Sequence, residues 1–184
     1  GFTDLARAPF RFSIVKKPEV WGGMLGFLTL ATGITYANLP KDDAAKAKPE
    51  SQAASKDLNS INPLLAFPVG LGEEVFFRGY LQPMFAEFTN PTGGIILSSL
   101  LFGAMHIPNA QLMPESDRMH YYSVSIPYIT ALGAYMGWIS QRNNSLQESI
   151  ALHTWYDFTL FSIGAIAQKA AIGKAPRFAI SIPF

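Results

Sequence analysis

The sequence predicts an all-α, polytopic membrane protein, a bundle of about five hydrophobic transmembrane helices. Four long stretches of the chain carry almost no charged side chain, and they are residues 20–40, 88–114, 119–141 and 149–168. Each can form about 20 residues of helix, the length that crosses a bilayer. The charged residues collect between these stretches. The alternative is a soluble helical protein with several buried helices.

Composition narrows the class of protein further. The 184 residues are enough for a single membrane-embedded domain, residues 1–184. The net charge is +1, so nothing indicates a nucleic-acid partner, and the expected surroundings are the lipid bilayer. The chain has no cysteine, which excludes a disulfide framework and thiol catalysis.

The N-terminal third contains the first predicted span and the clearest linker. Residues 1–19 are basic and are expected to lie next to the membrane. Residues 21–39 form the first span, with Trp21 and Tyr36 near its ends as interfacial aromatic residues. Residues 40–60 are rich in Ala, Lys, Asp and Ser and predict a polar, exposed loop.

The second hydrophobic unit covers residues 62–88 and is the only one interrupted by a group of charges. Pro68, Gly70 and Gly72 precede those charges. Because proline and glycine disfavour a regular helix, they predict a bent entry followed by a helix that begins at about Glu73.

Three further helices complete the predicted bundle. The third covers residues 92–107 and is stopped by Pro108, because proline cannot continue a helix. The fourth covers residues 124–140. The fifth covers residues 146–168, and Ser145 is placed to cap its N-terminus.

Three charges in the second unit are the strongest indication of function. Glu74 and Arg78 are four residues apart, so they share a helix face and can pair. Glu73 points about 100° away from Glu74. This spacing predicts that Arg78 neutralises Glu74 while Glu73 is free to act. The alternative is that both carboxylates belong to one structural salt-bridge cluster.

Two other apolar segments contribute ionisable groups. His153 and Asp157 are four residues apart on the fifth helix, where they can hold a cation or a water molecule together, or form a single structural hydrogen bond. His106 ends the third helix, with Phe102 one turn earlier and able to pack on its ring. Ionisable residues inside membrane helices usually face the bundle interior and mark function.

Together these groups make two imidazoles and two carboxylates, a set suited to binding a metal or activating water. The soluble zinc-protease motif HExxH is absent. Three motifs instead occur in order, EExxxR at Glu73–Arg78, FxxxH at Phe102–His106 and HxxxD at His153–Asp157. This ordered set resembles the signature of the CPBP family, the CAAX-protease and bacteriocin-processing membrane proteins, also called Abi.

The resemblance covers about residues 62–168, the predicted catalytic core, and implies an intramembrane endopeptidase. It implies Glu73 as the general base that activates water, His106 and His153 as groups that position the water, and Asp157 as their third partner. These four residues are also the implied metal ligands, for zinc or another divalent ion, and a metal-free mechanism is left open. Many relatives carry Asn where this chain has Asp157.

The resemblance places Glu74, Arg78 and Phe102 around the reacting groups as supporting residues. It implies a peptide or protein C-terminus as substrate, with or without a lipid. The compact, cysteine-free chain suggests a location in the bacterial cytoplasmic membrane. The family usually has more spans than the five counted here, which implies a fragment or a compact member. Two other functions stay open, a non-proteolytic immunity factor or scaffold and an ion or proton pathway.

Overall fold

The computed structural model describes residues 1–37 and 62–173, with side chains up to residue 166. All regular secondary structure in those two ranges is helical. The all-α prediction is therefore confirmed. The predicted polar loop, residues 40–60, lies outside the described residues.

The first described range contains short helical pieces followed by one long helix. They are α1 (Phe2–Ala6), a 3-10 turn (Ala8–Phe10), α2 (Phe12–Val15) and α3 (Pro18–Ala37). Helix α3 corresponds to the predicted first span, and the last two residues of that prediction lie outside the described residues.

The second hydrophobic unit is helical over nearly its whole length. It consists of a 3-10 turn (Pro63–Leu65), α4 (Ala66–Phe76), a π-helical turn (Phe77–Leu81) and α5 (Gln82–Phe88). The prediction that the helix begins at about Glu73 was wrong, because α4 already begins at Ala66. Pro68 is the third residue of α4, where an N–H has no intrahelical acceptor and the proline ring is tolerated.

The remaining helices are the three that were predicted, in the predicted order, and one short helix over residues 115–120 that was not. They are α6 (Pro91–Met105), a 3-10 turn (Ile107–Leu112), α7 (Glu115–His120), a π-helical turn (Tyr121–Ser125), α8 (Ile126–Asn143) and α9 (Gln147–Gly173). Helix α8 ends at Asn144, which has a left-handed φ of 47°. The Gln147 N–H donates to Ser145 Oγ at 3.1 Å, so the predicted cap of the last helix is confirmed.

Two helical stretches are long and apolar enough to cross a membrane by length and composition, Pro18–Ala37 and Pro91–Leu112. Both carry large apolar side chains that face outward, such as Leu25 and Leu100. A soluble protein rarely exposes such patches, whereas a lipid-facing surface requires them. The count of five spans stays a prediction.

Helix α9 is the central element of the described bundle. Tyr128 on α8 donates its hydroxyl hydrogen to the Phe27 carbonyl on α3 at 2.7 Å, and its oxygen lies 2.7 Å from the Tyr156 hydroxyl on α9. Lys17, just before α3, pairs with Glu148 in the first turn of α9. Helices α3 and α9 therefore run parallel, and both begin at the same end of the bundle.

Candidate active site

Glu74 lies at the centre of a buried hydrogen-bonded group. Its Oε1 atom accepts from Arg78 Nη1 at 2.8 Å and from His153 Nδ1 at 2.9 Å. The side chains of Glu74 and Arg78 are both 0% exposed. The second Arg78 nitrogen, Nη2, donates to the Gly133 carbonyl on α8 at 2.8 Å. The expected pair of Glu74 with Arg78 thus also joins α9 and α8 to α4.

The contact between Glu74 and His153 depends on a close approach of α4 and α9. A Cβ atom at Gly70 would lie 2.7 Å from Thr154 Oγ1 and 3.1 Å from the Thr154 backbone nitrogen. Only glycine permits this separation of the two backbones. Glu74 is one turn beyond Gly70 on α4, and it reaches His153, the residue next to Thr154 on α9. The motif on α4 and the motif on α9 are therefore brought together by a residue that belongs to neither.

Hydrogen bonding orients the His153 ring. A carboxylate only accepts hydrogen bonds, so Nδ1–H donates to Glu74 and Nε2 is the atom that faces the other acidic groups. Nε2 lies 3.3 Å from Asp157 Oδ2 and 3.8 Å from Glu73 Oε2. A proton on Nε2 would be attracted by both carboxylates.

Glu73 is in a different environment from Glu74, as the sequence predicted. Its side chain is 34% exposed, whereas that of Glu74 is fully buried. The Glu73 Oε2 atom is itself buried and has no hydrogen-bond partner among the described residues. Glu73 also interacts electrostatically with His153 and His106. A buried carboxylate oxygen without a partner is costly unless it binds something.

Phe102 connects the two histidines. Its ring centroid is 4.9 Å from the ring of His106 and 5.8 Å from the ring of His153. The Arg78 guanidinium lies over the same ring at 4.4 Å, a cation–π contact. The packing of Phe102 on His106 that the sequence suggested is present. All seven residues of the three motifs thus belong to one connected region, and their chemical roles stay predictions.

His106 is oriented through its backbone and one ring nitrogen. Its Nδ1 is 2.8 Å from the Phe102 carbonyl oxygen, so Nδ1–H donates and Nε2 is left for other contacts. The Tyr121 hydroxyl donates to the His106 carbonyl at 3.0 Å. Tyr121 lies in the π-helical turn before α8, and such turns occur often at functional sites.

Metal binding was tested against the arrangement of donor atoms. The described part of the chain contains no group of three or more His, Cys, Asp or Glu side chains that could hold a metal ion. The bond from His153 Nδ1–H to Glu74 leaves Nε2 as the ring atom that could bind a ligand. The four-ligand set stays a prediction.

Sequence reasoning missed Gly70, Gly133 and Tyr121, which hold the site together. A signal for Gly133 exists, because Gly133 and Gly137 are four residues apart on α8, the small-residue spacing that allows helices in membranes to approach closely. The Tyr121 hydroxyl in a polar segment gave no comparable signal.

The fold and this buried group of carboxylates and imidazoles define a helical membrane protein with polar groups suited to hydrolysis. Residues 60–159, more than half of the chain, match the family model described as type II CAAX prenyl endopeptidase Rce1-like. The chain belongs to this Rce1-like family, a family of membrane-embedded peptidases, and the predicted resemblance is confirmed. The match contains all seven predicted site residues. Comparisons with curated proteins and with solved structures find no match.

Proposed function

We propose that the protein is an intramembrane endopeptidase in which Glu73 activates a water molecule to hydrolyse a peptide bond. His106 and His153 position the water and the substrate carbonyl, and Asp157 is the third partner. Glu74 and Arg78 orient His153. The observation that carries the proposal is the buried Glu73 Oε2 atom, which accepts no hydrogen bond from the described residues and lies 3.8 Å from His153 Nε2.

The chemistry follows from these positions. Glu73 takes a proton from water, and the hydroxide oxygen forms a bond to the peptide carbonyl carbon. The carbonyl π electrons move to its oxygen, and the Nε2–H of an imidazolium at His153 stabilises the negative charge there, since the Nδ1–H is already donated to Glu74. Glu73 then gives its proton to the peptide nitrogen as the carbon–nitrogen bond breaks, which releases a carboxylic acid and an amine.

The Glu74–Arg78 pair supports this chemistry from outside the reacting groups. With its Nδ1–H held by Glu74, His153 cannot rotate, and Nε2 stays directed at Glu73 and Asp157. Preorganised donors of this kind account for a large share of catalysis in sites that exclude water. The arrangement supports a positioning role for Glu74 and a catalytic role for Glu73.

No step of this mechanism passes through a metal. Zinc or another divalent ion remains part of the wider hypothesis, with Glu73, His106, His153 and Asp157 as its ligands. Such an ion would lower the pKa of bound water and polarise the peptide carbonyl. A chelator therefore separates the two forms of the hypothesis.

We also propose that five helical stretches cross the membrane. Two of them are α3 and the stretch that begins with α6. Three other helical stretches reach about 20 residues or more, the length needed to cross a bilayer. They are Ala66–Phe88, Tyr121–Asn143 and Gln147–Gly173. Large apolar side chains such as Trp138 and Ile163 are exposed on them. A bacterial cytoplasmic membrane is the proposed location.

The substrate we propose is the C-terminus of a peptide or protein, because the family is described as a prenyl endopeptidase family. Whether the substrate of this chain carries a lipid is part of the proposal to be tested. Peptides with and without a prenylated cysteine serve as the two substrates.

The test is cleavage of these peptides by detergent-purified protein, with wild type compared against Glu73→Gln. The matched control is Glu87→Gln, the same chemical change at an exposed position on α5. We expect Glu73→Gln to abolish cleavage and Glu87→Gln to retain it. Loss of activity with chelator and recovery with zinc would favour the metal form. A folded wild type that cleaves neither peptide would overturn the proposal and favour an immunity factor or scaffold.

A further inference from the structure

The segment Phe2–Val15, called here the N-terminal hairpin, packs against α9 and α4. At its tip, the Pro9 carbonyl accepts from Trp155 Nε1 at 2.7 Å. The long Arg11 side chain extends from beside the tip to the first turn of α9, where Nη1 donates to Gln147 Oε1 at 2.8 Å. Lys17, which follows the hairpin at its open end, pairs with Glu148. Glu148 and Trp155 are seven residues apart, about 10 Å along a helix, so the chain rises along α9 by about two turns between Pro9 and Lys17.

The direction of this rise is fixed by α3. Lys17 pairs with Glu148 immediately before α3 begins at Pro18, and α3 is long and apolar enough to cross a membrane. The first turn of α9 is thus level with the start of a spanning helix, at the headgroup region. The tip of the hairpin lies about 10 Å deeper, beside lipid acyl chains.

The hairpin exposes more aromatic surface than a water-facing loop would. Phe2, Phe10 and Phe12 are 69%, 66% and 78% exposed. Phe10 stacks on Phe67 of α4 with ring centroids 5.1 Å apart, and its other side faces outward. Exposing such rings to water costs free energy in proportion to their area, whereas acyl chains cover them at no such cost.

A non-helical segment in lipid requires partners within the protein for its polar backbone groups, and several such groups at the tip have them. The Phe10 N–H donates to the Arg7 carbonyl at 3.0 Å, and the Arg11 N–H donates to the Ala8 carbonyl at 3.2 Å. Pro9 has no N–H, and its carbonyl is bound by Trp155. Ala8 and Pro9 are buried against the bundle.

Most charged groups of the segment lie where a membrane interface would place them. The Arg11 guanidinium is held by Asp4 and Gln147, and Lys17 pairs with Glu148, toward the open end. Arg7 is exposed directly before the tip, where a long basic side chain can extend its charge toward the headgroups. Lys16, also near the open end, has its ammonium group 5.8 Å from the centre of the Phe12 ring. Basic and aromatic side chains together are typical of the headgroup level.

We propose that the N-terminal hairpin is a re-entrant element that inserts its tip, Ala8–Phe10, into the acyl-chain region of one leaflet. Its partner is the lipid of that leaflet. The hairpin packs on both helices that carry the candidate site, α4 and α9. His153 is six residues along α9 from Gln147, about 9 Å, so the tip and the site lie at similar depth.

Spin labelling tests this insertion directly, because the chain has no cysteine and single-cysteine variants need no background change. Phe10→Cys reports on the tip. Leu25→Cys, about 10 Å into α3 and half exposed, is the lipid-facing control, and Gln141→Cys, exposed near the end of α8, is the interface control. Each labelled protein is placed in vesicles of phosphatidylcholine and phosphatidylglycerol, and collision rates with oxygen and with a water-soluble nickel chelate are measured.

We expect the oxygen-to-nickel collision ratio at Phe10→Cys to match that at Leu25→Cys and to exceed that at Gln141→Cys several-fold. Phe12→Cys, nearer the open end, should give an intermediate value, and it remains informative where Phe10→Cys disturbs the ring stack. Thermal unfolding of each labelled variant checks that the bundle is intact. A Phe10→Cys ratio equal to that of Gln141→Cys, in a folded protein, would overturn the proposal without affecting the proposed peptidase.

Discussion

Replacement of Arg78 tests how much the buried ion pair between Arg78 and Glu74 contributes to the stability of the protein. In Arg78→Leu, Glu74 loses its 2.8 Å ion pair and keeps the hydrogen bond from His153. The Gly133 carbonyl loses its bond from Arg78 as well. Because Glu74 is fully buried, no bulk water replaces the lost guanidinium, and a carboxylate is left in an apolar bundle.

Breaking a buried ion pair by removing one partner typically costs about 3–5 kcal/mol. For a chain of this size, each kcal/mol shifts the Tm by about 2–4 °C, so Arg78→Leu should lower the Tm by about 6–20 °C. The assay is thermal unfolding of detergent-purified protein. Glu73→Gln is the comparison, since Glu73 is one-third exposed and lies 3.8 Å from His153 Nε2 instead of in a close buried ion pair, and its Tm should change little.

A double variant separates loss of the pair from loss of packing. Glu74→Met combined with Arg78→Leu removes both charges, so it should be more stable than Arg78→Leu alone. Two results would refute the reasoning. One is a double variant no more stable than Arg78→Leu, and the other is an equal loss of Tm in Arg78→Leu and Glu73→Gln.

Three further changes address the positioning of the site. Gly70→Val should push α4 away from Thr154 and lower stability by about 1–3 kcal/mol, seen as a lower Tm, whereas Gly72→Val, at an open position, should be tolerated. Asp157→Asn keeps an oxygen near His153 and should retain peptide cleavage. Tyr121→Phe removes the hydroxyl that donates to the His106 carbonyl and should lower kcat with KM unchanged, whereas Tyr122→Phe should not.

The sequence predicted the helices well, because each has a strong local cause. Uncharged stretches of spanning length gave the order of the helices, and Ser145 marked the start of the last one. The start of α4 was mispredicted since Pro68 was treated as an obstacle to the helix. A proline in the first turn removes an N–H that has no acceptor there, so it is compatible with the helix.

The candidate site was predicted as a set of residues but only partly as an arrangement. The spacing of Glu74 and Arg78 predicted their pair, since four residues return to the same helix face. Nothing local indicated that Glu74 would also bind His153, because that contact joins residues 79 apart in the chain. Contacts between helices depend on the distance and the register at which the helices pack, and the spacing of residues within one helix does not determine either.

The register of α4 against α9 explains why Glu74 of the first motif contacts His153 of the last motif. A Cβ atom at Gly70 would lie 2.7 Å from Thr154 Oγ1, and one at Gly79 would lie 3.0 Å from the Leu146 side chain, so the antiparallel helices are fixed at two levels. A slip of one helical turn, about 5.4 Å, would carry Glu74 out of reach of His153 and leave the buried His153 Nδ1–H without its acceptor. Close packing at the glycines and hydrogen bonding at the carboxylate therefore favour the same register. The orientation of His153 toward Glu73 follows from both.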